Sequence, residues 1–160
     1  MSAWISKLFL PDEDSWLRHA NPWSIWTRFI TLPFVVIAVW SRVWIAWYCL
    51  IPIAILVLWI FVNPRIFNKP VCFDSWGSRA VLGEKIYVES KEQKKLGQHK
   101  NPIQILTLLQ AIGGFVLVYG LWRLNVYATV YGMTVVYLAK MWFLDRMVWL
   151  HADTQVNHVQ

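Results

Sequence analysis

Twenty consecutive residues, Val43–Val62, carry no charge and almost no polar group. As a helix the run is about 30 Å long, the thickness of a bilayer's hydrocarbon core. It has no polar face, so lipid or a partner protein must cover it. A second such run, Ile103–Trp122, follows a charged middle section. Each run meets a neighbouring apolar segment across a short polar break: Phe29–Trp40 across Ser41-Arg42, and Val126–Leu144 across Arg123-Leu124-Asn125. The pattern predicts an all-α integral membrane fold of four transmembrane helices arranged as two hairpins, with short interfacial helices beside them.

Composition narrows the class further. A chain 58% hydrophobic and 15% charged, with mean hydropathy +0.42, is too apolar for an ordinary soluble domain of 160 residues. Cys49 and Cys72 are the only cysteines, which excludes a disulfide framework and a CxxC site. The net charge of +6 is spread around apolar segments without a nucleic-acid-reading motif. Anionic lipid headgroups are the simpler counter-charge. Met1–Lys7 lacks the basic, apolar and small-residue parts of a secretory signal, so no cleaved presequence is expected.

The chain is expected to form a single membrane domain over 1–160. Its parts are an interfacial N-terminal segment (1–20, amphipathic over Ser2–Leu17), a first hairpin (21–64), a cytoplasmic connecting segment (65–100), a second hairpin (101–150) and a tail (151–160). Asn21-Pro22 is a cap followed by a first-turn proline, and the helix it starts should end near Trp40. Pro33 and Pro52 are expected to bend their helices, and Asn63-Pro64 to end the second. The basic excess in 65–100 places both termini on the cytoplasmic side of a prokaryotic membrane. His19-Ala20-Asn21-Pro22 is echoed eighty residues later by His99-Lys100-Asn101-Pro102, which suggests two parallel, superposable hairpins.

Under that topology His19, Glu84, His99, Asp145 and His151 share one side and are the candidate catalytic groups, bordering a common polar cavity. His19, His99, Asp145 and His151 are the candidate ligands for a divalent metal, although no HExxH or HxxxH pair exists. The plainer alternative is a scatter of interfacial residues. Asp145, at the end of the fourth apolar run, is expected to turn inward, because lipid exposure of a carboxylate is costly. Trp76 and Arg79, on a short interfacial helix, and Arg146 are candidates for holding an anionic ligand. Most of the twelve tryptophans cluster toward the expected interfaces, where an indole anchors a helix between lipid and water.

The opening His19-Ala20-Asn21-Pro22-Trp23-Ser24-Ile25-Trp26-Thr27-Arg28, with Trp40–Trp44, Asn63–Phe67 and Arg79–Glu84, resembles a family of small, tryptophan-rich bacterial and archaeal membrane proteins of uncharacterised function. The resemblance covers most of the chain and implies a membrane location without assigning any catalytic residue. The leading expectation is an integral-membrane binding or accessory protein, in contact with membrane lipids and with a second copy or another membrane protein. Two alternatives stand beside it: a small enzyme acting on a lipid or quinone-like amphiphile at a cytoplasm-facing polar site, and an oligomeric carrier or channel.

Overall fold

The computed structural model describes residues 13–93 and 97–157, and every regular element in them is helical. In chain order these are α1 (Glu13–His19), α2 (Pro22–Trp40), α3 (Arg42–Ile45), α4 (Leu50–Ile66), α5 (Trp76–Gln93), α6 (Lys100–Arg123) and α7 (Val126–Asn157), with 3₁₀ turns at Ala46–Cys49 and Gly97–His99.

α2 starts where its sequence says it should. The Asn21 side chain accepts from the Trp23 N–H at 2.9 Å, and Pro22 occupies the first turn, where its missing N–H costs nothing. α4 runs back antiparallel to α2 and is locked to it by polar side chains. Ser24 donates to the Asn63 carbonyl oxygen at 2.7 Å, and the Asn63 amide donates to Thr27 Oγ1 at 2.8 Å. Both Ser24 and Asn63 are fully buried, so this satisfied pair fixes the register of two otherwise featureless apolar helices.

α6 and α7 pack along a seam of small residues. A Cβ added at Gly113 would fall 2.8 Å from Val135, one at Gly120 would fall 2.5 Å from the Thr129 nitrogen, and one at Gly132 would fall 2.4 Å from the Leu117 nitrogen. Backbones this close maximise dispersion contact between helices. Their connection is tight: Leu124 takes the left-handed conformation at φ 54°, and Asn125 caps α7 by accepting from the Ala128 N–H at 3.0 Å.

Buried apolar residues concentrate at one end of the molecule and large exposed ones predominate toward the other, although Trp23, Ile105 and Trp149 are exposed at the first end as well. At one end, here called the head, α1, α5, the first turns of α6 and the second half of α7 bury Ile25, Ala80, Val81, Tyr87, Ile103, Phe143 and Met147 among their neighbours. Toward the other end, large apolar side chains point outward from several helices, including Trp47 at 83%, Phe115 at 77% and Tyr127 at 87% exposure. Arg42 ties that far end together by donating to the Leu121 and Trp122 carbonyls at 2.6 and 2.7 Å, a cation on the negative end of α6.

The four-helix, two-hairpin arrangement with a parallel repeat is not what this fold contains. Among the described residues two stretches are long and apolar enough to cross a membrane, Pro22–Ile66 and Lys100–Arg123. α7 is not one of them. Tyr127, Thr129, Tyr131, Thr134, Tyr137 and Lys140 dilute its first half, and its second half carries the charged Asp145, Arg146 and Asp153 while Phe143 and Met147 cluster with Ala80 and Tyr87 of α5. The two Asn-Pro elements also differ in structure. Asn21 caps α2 with its side chain, whereas Asn101 lies inside α6, and the His99 side chain at that cap makes no capping bond.

Val43–Val62 does not form one helix either. A continuous helix would set the Pro52 ring against the Tyr48 carbonyl and remove a bond. The chain instead breaks at Ala46, which adopts φ 47°, and α4 begins at Leu50, so Pro52 falls in a first turn and bends nothing. Pro64 does not terminate α4, which continues to Ile66, since in a last turn one lost bond is tolerated. The expected amphipathic segment Ser2–Leu17 lies mostly outside the described residues, and its described end belongs to α1. The tail expected at 151–160 is a continuation of α7 as far as Asn157.

Candidate functional site

Where the head meets the apolar end, α2, α5 and α7 diverge around a cavity of about 200 Å³. α2 contributes Ile25, Arg28, Phe29 and Leu32; α5 contributes Val81 and Glu84; α7 contributes Val136, Tyr137, Lys140 and Leu144. His19, the last residue of α1, completes the wall. The helical period explains the set. On α2, Ile25, Arg28, Phe29 and Leu32 recur at three- and four-residue spacing, as Val136, Tyr137, Lys140 and Leu144 do on α7.

Arg28 is held from two directions. Its Nε–H donates to the Ser24 carbonyl at 2.9 Å, one turn back, and Nη1 sits 2.7 Å from Nε2 and 2.9 Å from Nδ1 of His19. A ring nitrogen accepts from a guanidinium only when it is unprotonated. Burial, reinforced by the Arg28 and Lys140 cations, accordingly pushes His19 well below the ordinary imidazole range. His19 is therefore a neutral acceptor whose lone pair is engaged by Arg28, an orienting group for the guanidinium.

Glu84 is buried, at 9% exposure, and Lys140 Nζ lies 3.7 Å from its Oε1. That distance makes an ion pair but exceeds a normal hydrogen bond. The same ammonium lies 4.8 Å from the centroid of the Phe143 ring, so Lys140 is stationed between a carboxylate and an aromatic face. Tyr137 donates its hydroxyl to the Phe29 carbonyl, bridging α7 to α2 beside the cavity.

Of the residues singled out in the sequence, His19 and Glu84 line this cavity together, and the others lie elsewhere. His99 is buried against Asp153, with Nε2 at 2.9 Å from Oδ2. His151 has a buried Nδ1 without a hydrogen-bond partner among the described residues, and burial with the nearby Arg79 cation lowers its pKa. Asp145 is exposed and does not turn inward. The common cavity expected for His19, His99 and Asp145 is thus replaced by separate sites. Among the described residues no group of three or more His, Cys, Asp or Glu side chains is placed to hold a metal ion. Arg79 is exposed, 3.7 Å from Asp74, Trp76 packs at the edge of the head core, and Arg146 lies 5.8 Å from the Trp149 ring.

The residues that sequence reasoning passed over are Arg28 and Lys140. Each is a lone cation in an otherwise apolar stretch, and that isolation was the available signal, since an ionisable group in such a segment is by default functional. The opening motif contains Arg28, but nothing local links it to Lys140, 112 positions away.

A family model described as a family of unknown function (DUF6653) matches residues 1–160. No curated protein and no solved structure matches the chain.

Proposed function

We propose a function from one premise: the chain belongs to the family of unknown function DUF6653, whose description assigns no activity. It is a membrane-embedded binding protein, its apolar end in lipid and its packed head in the cytoplasm of a prokaryotic cell. The observation that carries this reading is the uneven distribution of apolar side chains, with the buried clusters confined to the head and large outward-facing residues predominating on the helices beyond it. An outward apolar surface of that extent is unfavourable in water and favourable in hydrocarbon.

Orientation follows from charge. Arg18, Arg65, Lys69, Arg79, Lys85 and Lys100 belong to the head and its approaches, against Arg42 and Arg123 at the far end, and basic flanks favour the cytoplasmic side. Binding is favoured over catalysis because the neutral His19 is already engaged by Arg28 and is not free to move a proton.

The chain's own cysteines test the reading, since Cys72 is exposed in the head and Cys49 is buried. The protein should stay in the membrane pellet after an alkaline carbonate wash. A membrane-impermeant maleimide should label Cys72 in inverted vesicles and leave it unlabelled in intact cells. Release by carbonate overturns the membrane reading, and labelling in intact cells overturns the orientation.

A further inference from the structure

The cavity between α2, α5 and α7 holds two cations, Arg28 and Lys140, against one carboxylate, Glu84. His19 adds no charge there, since it accepts from Arg28. The site therefore has one positive charge in excess among largely apolar side chains, with Arg28 partly buried and the Lys140 side chain 35% exposed, and an uncompensated charge is costly where lipid rather than water covers such an opening. Both cations also have donors to spare. Arg28 uses Nε–H on Ser24, Nη1 on the His19 ring and Nη2, at 3.4 Å, on the His19 carbonyl, so part of its guanidinium remains available, while among the described residues Lys140 has the long 3.7 Å pairing with Glu84 and the Phe143 ring.

The apolar end of the cavity leads on in one direction. Leu32 lies one turn beyond Arg28 on α2, and Val136 lies one turn before Lys140 on α7, both toward the outward-facing apolar end. A second, separate hollow of about 290 Å³ lies farther along the same two helices, walled by Val36, Ile37 and Trp40 of α2, Trp44 of α3 and Val126 and Val130 of α7. From Arg28 to Trp40 the helix rises about 18 Å, the reach of one long acyl chain. A single-charge head at one end and an open apolar surface along α2 and α7 beyond it define the occupant.

We propose that the Arg28–Lys140 cavity is a binding site for a long-chain fatty carboxylate, its head between the two cations and its chain along the α2–α7 surface. One carboxylate supplies the missing negative charge. A single chain suits a surface made by two helices, whereas a two-chain phospholipid brings a larger head and a second tail. This assignment rests on the membrane-embedded reading above, because a fatty acid would enter sideways from lipid.

The test is saturation binding of radiolabelled palmitate to the purified full-length protein in detergent. Palmityl alcohol, which has the same chain without the charge, and phosphatidylglycerol serve as competitors. Palmitate should bind at a single site, neither competitor should displace it at equal concentration, and Lys140→Gln should weaken binding by about tenfold, the worth of one charge-assisted contact. Arg28→Gln removes a helix contact and risks the fold. Lys140→Gln leaves the Ser24 and His19 contacts intact, and an unchanged melting temperature checks that its fold survives. Absence of saturable binding, equal competition by the alcohol or the phospholipid, or unchanged affinity in Lys140→Gln overturns the proposal. A protein that resists carbonate extraction and fails these binding tests refutes the ligand while leaving the membrane reading standing, and release by carbonate refutes the membrane reading by itself.

Discussion

His19 connects the acid–base chemistry of this chain to its stability. Its pKa is near 6.5 in an unfolded chain and well below that in the fold, chiefly through burial and then through Arg28 and Lys140. Between the two values the unfolded chain binds more protons, so stability is full above the unfolded pKa and falls as pH drops below it. The slope for one such proton is at most about 1.4 kcal/mol per pH unit. His151, lowered by burial and by Arg79, acts in the same direction. Thermal unfolding in detergent should show a lower midpoint at about pH 5 than near neutrality, and His19→Gln should reduce that difference. An identical acid sensitivity in the variant would show that His19 is not titrating as the contact with Arg28 requires. At this scale the sequence was half legible. His19 and Glu84 stood out as ionisable groups, and both line one cavity. Arg28 and Lys140 were each visible as lone cations, but their pairing depends on how α2 and α7 lie against each other, which no local spacing encodes.

Among the described glycines, the tightest helix contact is that of Gly83 on α5 with α7. A Cβ at Gly83 would lie 1.9 Å from the Met147 carbonyl oxygen, while one at Gly114 on α6 would meet nothing within 4 Å. Gly83→Ala should therefore destabilise the head by about 1–3 kcal/mol through overpacking, because the obstacle is backbone and cannot swing aside. Gly114→Ala should leave stability unchanged or raise it by up to about 1 kcal/mol, the ordinary helix preference for alanine. Melting temperatures in one detergent decide the matter, and equal tolerance of the two substitutions would contradict the packing described. Element boundaries with chemical markers were readable in the chain: the Asn21-Pro22 start of α2, its end at Trp40, and the Arg123–Asn125 turn. The uniform apolar run Val43–Val62 contained its own break without advertising it, because a hydrophobic pattern has no period to interrupt there. Pro52 was the clue, and its meaning depended on where the helix began.

The molecule as a whole is a head with a conventional core joined to an apolar end whose large side chains face outward. The sequence conveyed the total apolar content but not this division. α5, expected from sequence as a short interfacial helix, is an 18-residue element that builds the head core with α7. The apparent repeat dissolved because the two Asn-Pro starts are built differently and α7 serves the head as well as the apolar end. The division is also the central claim, and spin-label accessibility measures it directly. Nitroxides attached at Phe115→Cys on the outward face of α6 and at Val71→Cys in the exposed head loop, each in a chain with Cys49 and Cys72 replaced by serine, are compared in lipid bilayers. The Phe115 label should relax with oxygen and be shielded from a water-soluble nickel chelate, and the Val71 label should respond to the chelate. A Phe115 label as open to the nickel chelate as the Val71 label would contradict the account, because the apolar end would then be standing in water.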